Sequence, residues 1–308
     1  MNTDLYSVVI PVYNSTSSLR ELALRINRVF ETIEDAGCEI IFVDDASPNP
    51  KTWETLLDIQ RSHRNVKIIQ LSKNFGQQAA TLCGIEVSKG DFIITMDDDL
   101  QQLPEDITEL IKEQDHDVVI AQFEKRRHSR FVTITSRIKG WFEYKLIQKP
   151  KHIQMSSFRL IKRNTIDAFD FSSSPYPFIS ATLFSITNDI VGVTARHNRE
   201  FEGKSNYNFI KRFKLFTNLI INNSSFLLRM IGSLGIILSV VAFLIALWLI
   251  YRKVFLGVGL IGWTSTIVAV LFIGGLLLFS VGVTGEYLVR IIGTIEKKPS
   301  YHKRYFIE

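Results

Sequence analysis

The sequence predicts an α/β protein: a mainly parallel sheet covered by helices, then amphipathic interface helices, then two transmembrane helices. Three observations predict it. Short apolar, β-branched runs alternate with segments of helical period up to Phe123. Two of those runs end in aspartates. Beyond Met230 come two long stretches without charge. Alternation of this kind places a parallel sheet between layers of helix. Uncharged runs of about 20 residues are long enough to cross a bilayer.

Taken in order, "YSVVIPVY" reads as a strand. "SLRELALRINRVFETI" has helical spacing, with Leu19, Leu22, Ile26, Val29 and Ile33 on one face. "CEIIFVDDAS" is a second strand ending in acid. "TWETLLDIQRS" is a helix, "VKIIQLS" a strand, and "QQAATLCGIEVSKG" a helix closed by Gly90. "DFIITMDDD" is a fourth strand, "PEDITELIKEQ" a helix with Pro104 in its first turn, and "HDVVIAQF" a fifth strand. Ligands of such sheets gather beyond the carboxyl ends of the strands. Asp44-Asp45 and Asp97 to Asp99 both fall there.

From Glu124 the pattern loosens. "EKRRHSRF" is a basic turn, and "TITSRIKGWFEYKLIQK" is helical, with Ile134, Ile138, Trp141 or Phe142 and Lys145 to one side. "NYNFIKRFKLFTNLIINNSSFLLR" interleaves aromatics with lysine and arginine. Such segments lie in a headgroup layer or pack on the sheet as ordinary amphipathic helices. Continuity with a membrane span favours the headgroup layer for the second.

Met230 to Tyr251 holds no charge and fits one helix. After Arg252 and Lys253 the run from Val254 to Gly285 is too long for one. A turn is therefore expected near "LGVGLIG", with the second helix at about Trp263–Gly285. Two buried core helices are the alternative, and uncharged runs this long argue against it. Lys211, Arg212, Lys214 and Arg229 precede the pair; Arg290, Lys297, Lys298, Lys303 and Arg304 follow it. The positive-inside rule puts both ends in the cytoplasm and the short loop outside. The expected organisation is an α/β domain over 1–206, a juxtamembrane amphipathic helix over 207–229, two spans over 230–285 and a cytoplasmic tail over 286–308.

The 308 residues suit one large domain or two modest ones. The net charge is +5, with the acidic clusters early and most basic runs after Glu124. Cys38 and Cys83 have no ligand spacing, which argues against a disulfide framework or a zinc site and fits a reducing compartment. "MNTDLYSVVIPVYN" lacks a basic n-region and a long apolar h-region, so no signal peptide is expected.

Asp97 and Asp99 stand at an i, i+2 spacing around Asp98 and point the same way at an extended strand end. Two carboxylates on one side can share Mg²⁺ or Mn²⁺, and Mg²⁺ commonly takes one or two carboxylates together with substrate phosphates. Gln101 offers a further neutral oxygen. The competing reading is a solvated acidic turn capping the next helix. A carboxylate at Asp45 can accept from a uracil N3–H or a ribose hydroxyl, or can cap the following helix.

"VVIPVYN", "VDDAS", "KNFGQQAA" and "DDDLQQLPE" together resemble glycosyltransferase family 2. The order of parts is similar to the polyprenyl-phosphate glycosyltransferases within it, the group of dolichyl-phosphate mannose synthase and its bacterial undecaprenyl-phosphate relatives. "VGVTGEYLVRIIGTIEKKPSY" resembles the closing segment of the two-span bacterial members. The resemblance covers nearly the whole chain. It implies a GT-A domain that binds a nucleotide sugar, with Pro11, Tyr13 and Asn14 under the nucleotide and Asp45 on the base. It places Asp97, Asp99 and Gln101 on metal and diphosphate, Asp98 in the donor pocket between them, and Asn74, Gly76 and Gln77 near the donor. It also implies a polyprenyl phosphate acceptor and, by analogy, a tetramer.

An acceptor phosphate is mostly dianionic at neutral pH and needs little deprotonation to attack. No Ser-His-Asp or Cys-His constellation is found, and none is required. Cations must instead hold a second phosphate beside the first, a task suited to arginine. The candidates are Arg126, Arg137, Arg159, Arg199 and Lys204, with Ser136 and Ser205 as hydroxyl donors. Contact with anionic lipid of the cytoplasmic leaflet is the alternative for each cation. For Arg199 and Lys204, the Gly203 between them favours a loop closing over substrate.

The chain differs from its relatives in "NREFEGKSNY", where Arg199 is one residue further from Gly203 and Asn206 stands where lysine is usual. "QMSSFR" lacks the acid that often precedes "FR", and Phe123 sits near a common arginine. The leading expectation is inverting transfer of a sugar from a UDP donor to undecaprenyl phosphate at the cytoplasmic face. A transferase using a hydroxyl acceptor would need a base and, if processive, a Q-x-x-R-W segment, which is absent. A non-catalytic scaffold is disfavoured by the intact Asp97, Asp99 and Gln101.

Overall fold

The computed structural model describes residues 3–123, 150, 153–168, 178–196, 262–295 and 300–308, with six isolated positions between 237 and 255. The chain divides into two compact units, one of Met1–Asn208 with Lys297–Glu308 and one of Phe209–Glu296.

In the first unit, β1 (Asp4–Val12), β2 (Ala36–Asp44), β3 (Val66–Leu71) and β4 (Phe92–Thr95) alternate with α1 (Ser17–Glu31), α2 (Pro50–Ser62) and α3 (Gln77–Val87). A 3₁₀ turn over Pro104–Asp106 leads into α4 (Ile107–Ile111), with Pro104 at the first position as expected. β5 (Val118–Phe123), β6 (Arg159–Lys162), α5 (Arg163–Asp167), α6 (Ile179–Ile186), β7 (Ile190–Ala195) and β8 (Lys303–Ile307) complete the described elements. The sheet order is β7-β5-β6-β4-β1-β2-β3-β8. β1 pairs in parallel with β2 and β4, β2 with β3, and β5 with β7; β6 and β8 run antiparallel to their neighbours. The expected parallel sheet is therefore present as the centre of a mixed one.

The periodicity of α1 is realised in packing. Leu19, Leu22, Ala23, Ile26, Val29 and Phe30 are buried and join Val8, Ile10, Ile40, Phe42 and Ile94 in one core. Strands β1 and β2 bury both faces, as covered parallel strands do, so their sequences are apolar runs rather than alternations. The close approach of α3 to the sheet requires Gly84, where an added Cβ would lie 2.4 Å from Val9 Cγ1.

The sheet order reverses between β1 and β4, since β2 and β3 lie to one side and β4 to the other. This is a topological switch point, where the turns leaving adjacent strands diverge and open a crevice. Three of those turns carry a non-glycine residue at positive φ: Asn14 at 62°, Ala46 at 53° and Leu100 at 58°. The left-handed region costs such residues about 1–2 kcal/mol each. Strain of this kind persists where the surroundings over-determine the backbone, and it clusters at functional sites.

The closing residues differ from the sequence expectation of a simple tail. β8 lies antiparallel beside β3, with Ile307 opposite Ile68 and Phe306 opposite Ile69. Glu308 pairs with Lys67 at 2.9 Å and with Lys89, while Lys67 also pairs with the nearly buried Glu39 at 2.9 Å. Short-range pattern could not reveal this strand, because its partner lies more than two hundred residues away in sequence.

In the second unit, α7 (Trp263–Ile295) is continuous for 33 residues, ten beyond the expected end at Gly285. Among the described residues no helix is both long and apolar enough to cross a membrane. Only part of the side chains of α7 belong to those residues, whereas its sequence carries no charge from Trp263 to Gly285. Of the expected first span only Ile237, Val241, Leu244, Trp248 and Tyr251 are described, all helical, and of the "LGVGLIG" turn only Gly262; the amphipathic segments after Glu124 and Asn206 lie outside the described residues.

Candidate active site

A cleft of about 300 Å³ opens at the switch point, lined by Pro11, Val12, Tyr13, Asp45, Asn74, Gly76, Gln77, Asp97, Asp98 and Asp99. Every one of these residues ends a parallel strand or opens the segment after it. The cleft thus gathers residues from four separate turns, among them Pro11, Tyr13, Asp45, Asn74, Gly76, Gln77 and Asp97 to Asp99 of the sequence candidates, while Asn14 and Gln101 are not among its lining residues.

The three consecutive aspartates are separated by hydrogen bonding. Asp97 accepts from Gln77 Nε2 at 2.6 Å through Oδ1, and from Gln102 Nε2 at 2.8 Å and Ser157 Oγ at 2.7 Å through Oδ2. Asp98 Oδ2 accepts from the Tyr13 N–H at 3.2 Å. Asp99 Oδ1 accepts from the Gln101 N–H at 3.0 Å. Leu100, at positive φ, turns the chain back so that Gln102 reaches Asp97. Donors from several segments therefore make the like charges tolerable in the protein itself.

Burial pushes the Asp97 carboxyl above the ordinary carboxylate range; Asp99 adds to this, while Ser157, Arg159 and Gln77 oppose it. Burial likewise raises Asp98 to about 6, against hydrogen bonds from Ser15 and Tyr13. Raised carboxyl groups at a cleft mark a place where a positive charge would be welcome.

Asp45 is buried and its value is also raised by burial. Its Oδ1 accepts from the Phe75 N–H at 2.7 Å and its Oδ2 from the Gly76 N–H at 2.8 Å. Asn74 Nδ2 donates to the Asp45 carbonyl at 3.4 Å. Gly76 sits at φ 93°, a conformation that favours glycine. Asp45 does not cap the next helix: Asn49 does, accepting from the Lys51 N–H at 3.1 Å. Asn14 braces the neighbouring turn, donating its N–H to Ser47 Oγ at 2.8 Å and accepting from the Asn49 N–H at 3.3 Å.

Arg159 is placed differently from the sequence expectation. It is 2% exposed on β6, where it donates to Thr95 Oγ1 at 3.2 Å and Ser180 Oγ at 2.9 Å. Burial lowers it to about 10, opposed by the charge of Asp97. It is not among the cleft-lining residues. Arg126, Ser136, Arg137, Arg199, Lys204 and Ser205 lie outside the described residues. Gln102 and Ser157 were not singled out in the sequence. Nothing in spacing marks a residue five positions on, or one sixty positions away, as a partner of Asp97.

Among the described residues no three His, Cys, Asp or Glu side chains form a ready metal cage. Asp97 and Asp99 still fit a hard cation, because both present oxygen donors to one cleft and Mg²⁺ or Mn²⁺ draws its remaining ligands from phosphates and water.

Residues 7–169 match the model of the family Glycosyl transferase family 2. The chain belongs to glycosyltransferase family 2. This transferase is 32% identical to an uncharacterized glycosyltransferase of Synechocystis sp., covering 96% of this chain and 93% of the relative. It is 30% identical to the undecaprenyl-phosphate 4-deoxy-4-formamido-L-arabinose transferase of Aeromonas hydrophila, covering 99% and 94%. The fold of the family 2 domain is similar to the crystal structure of glucosyl-3-phosphoglycerate synthase from Mycobacterium tuberculosis in complex with Mn²⁺, UDP and glucosyl-3-phosphoglycerate. That similarity has a TM-score of 0.50 at 12% identity, over 71% of this chain and 78% of that one.

Proposed function

We propose that this family 2 enzyme transfers a sugar from a nucleotide donor, linked to UDP, to a polyprenyl phosphate at the cytoplasmic membrane face. The observation that carries the reading is the convergence of Asp45, Asn74, Gly76, Gln77 and Asp97 to Asp99 on one cleft at the switch point. The Mn²⁺ and UDP of the glucosyl-3-phosphoglycerate synthase structure support a nucleotide donor here. The undecaprenyl-phosphate transferase of A. hydrophila, similar along nearly its whole length, supports the acceptor.

In this reading an acceptor phosphate oxygen attacks the anomeric carbon from the side opposite the leaving group. The new C–O bond forms as the bond to the diphosphate oxygen breaks, UDP departs with the electron pair, and the anomeric centre inverts. Asp97 and Asp99 would hold the cation, with Gln101 beside them. That cation, when bound, supplies Lewis-acid stabilisation of the departing diphosphate. Asp45 holds the Phe75-Gly76 backbone in place as one wall of the cleft, and Gln77 donates to Asp97 Oδ1 from that wall. The acceptor is already charged, so no side chain has to remove a proton from it.

The membrane part of the reading rests on sequence, on two long uncharged runs between basic flanks. Phe272, Leu277, Phe279 and Val281 of α7 are exposed, as expected of side chains that face lipid.

The test is transfer of radiolabel from a UDP-sugar to undecaprenyl phosphate by the purified full chain with Mg²⁺ or Mn²⁺. An organic-extractable product of inverted anomeric configuration is expected. Label appearing only on a hydroxyl acceptor would overturn the acceptor assignment.

A further inference from the structure

We infer that Gln102 and Ser157 are positioning residues that clasp the Asp97 carboxylate and choose which of its oxygens faces the donor; this rests on the donor-site reading above. Gln102 is buried and grips Asp97 at two points. Its Oε1 accepts the Asp97 backbone N–H at 2.9 Å, and its Nε2 donates to Oδ2 at 2.8 Å. The second Nε2 hydrogen goes to Ser157 Oγ at 2.7 Å, and Ser157 gives its own proton to the same Oδ2 at 2.7 Å. The three groups close a ring in which each donor has one acceptor.

Two donors on Oδ2 leave Oδ1 as the oxygen turned to the cleft. There its partner is Gln77 Nε2 at 2.6 Å, and Gln77 itself lines the cleft. The two oxygens are thus held by different classes of partner. The Oδ2 donors, buried Gln102 and half-buried Ser157, do not line the cleft, whereas the Oδ1 donor belongs to the cleft wall and can yield to a cation. The clasp is itself anchored: Thr95 Oγ1 donates to the Ser157 carbonyl at 2.5 Å. Gln122 binds the same segment on both sides of Gln154, accepting from its N–H at 2.7 Å and donating to its carbonyl at 3.2 Å. The clasp is neutral, so it fixes the carboxylate without cancelling its charge. A lysine or arginine in its place would orient Asp97 equally well but would compete with the cation.

Outer partners of metal-ligating carboxylates are commonly worth about 10–100-fold in metal affinity. The experiment is calorimetric titration of Mn²⁺ into the full chain with saturating UDP, and of UDP alone, for wild type, Ser157→Ala, Ser157→Thr and Gln102→Glu, with thermal melts of each ligand-free protein. Ser157→Ala and Gln102→Glu are expected to weaken Mn²⁺ by about 10–100-fold while UDP alone binds as before. Ser157→Thr, which keeps the hydroxyl, is expected to restore most of the loss. Wild-type affinity in Ser157→Ala would overturn the clasp, as would an equal loss of UDP binding without metal, which a merely structural role would produce. A wild-type protein that takes up no Mn²⁺ with UDP would instead overturn the donor-site reading itself. Should Gln102→Glu fail to fold, the Ser157→Ala and Ser157→Thr pair still decides.

Discussion

The Gly76 N–H donates to Asp45 Oδ2 at 2.8 Å, and this bond ties the loop after β3 to the end of β2. With the Phe75 N–H on the other oxygen, one buried carboxylate holds two consecutive backbone amides. Asp45→Asn replaces one acceptor oxygen with an NH₂ group, so one amide of the pair must face a donor. An unsatisfied buried donor costs about 1–3 kcal/mol. The variant is expected to lose stability by that amount in a denaturant melt and to bind UDP about 10-fold more weakly, since 1.4 kcal/mol is a factor of ten. Unchanged stability would show that the amides do not depend on the carboxylate.

Asp99 contributes one carboxylate to the cleft and uses one oxygen on the Gln101 N–H. Its removal leaves the hydrogen bonds of Asp97 and Asp98 in place. Asp99→Ala is expected to fold as wild type and to lose transfer by about 100-fold or more, the scale set by deleting a group that stabilises a developing charge. Chelation of divalent ions should abolish transfer in the wild type, and added Mn²⁺ or Mg²⁺ should restore it. Full activity in the variant would remove the cation from the reaction.

Much of this was legible because it depends on local pattern. The apolar runs of β1 and β2 and the spacing of Leu19, Leu22, Ile26 and Val29 each report their own neighbourhood. A carboxylate at the end of such a run has only one place to go in a parallel sheet. What stayed hidden depends on the chain meeting itself. Ser157 reaches Asp97 only because β6 inserts antiparallel beside β4, and β8 joins β3 across the whole length of the protein. The burial of Arg159 was hidden for the same reason, because it follows from the pairing of β6 beside β4.

Arg159 allows a direct test of that placement. Its guanidinium is buried and donates to Thr95 and Ser180, so truncation empties volume and leaves two hydroxyls without their donor. Arg159→Ala is expected to destabilise the protein by about 3–6 kcal/mol, from two hydrogen bonds to a charged group worth about 1.5–3 each, with lost packing adding to it. The KM for polyprenyl phosphate in the surviving folded enzyme should stay near the wild-type value. A raised KM with unchanged stability would return Arg159 to the acceptor site.

Glu308 secures the β8 edge through Lys89 and Lys67. Hydrogen bonds from Lys89 and then Lys67 hold its carboxyl down to about 2, below its ordinary value of 4.5. The sign follows from that direction. The unfolded chain takes up the proton first, so the contribution is complete above the ordinary value and fades as the pH falls towards 2. Those amides of β8 that point towards β3 should therefore keep their hydrogen-exchange protection, corrected for intrinsic rate, from pH 7 down to the ordinary carboxylate value, and lose part of it below. In Glu308→Gln that acid-dependent part should be absent and protection of these amides lower throughout. Protection in the wild type that already falls between pH 7 and pH 5 would mean that groups other than this carboxylate hold the strand in place.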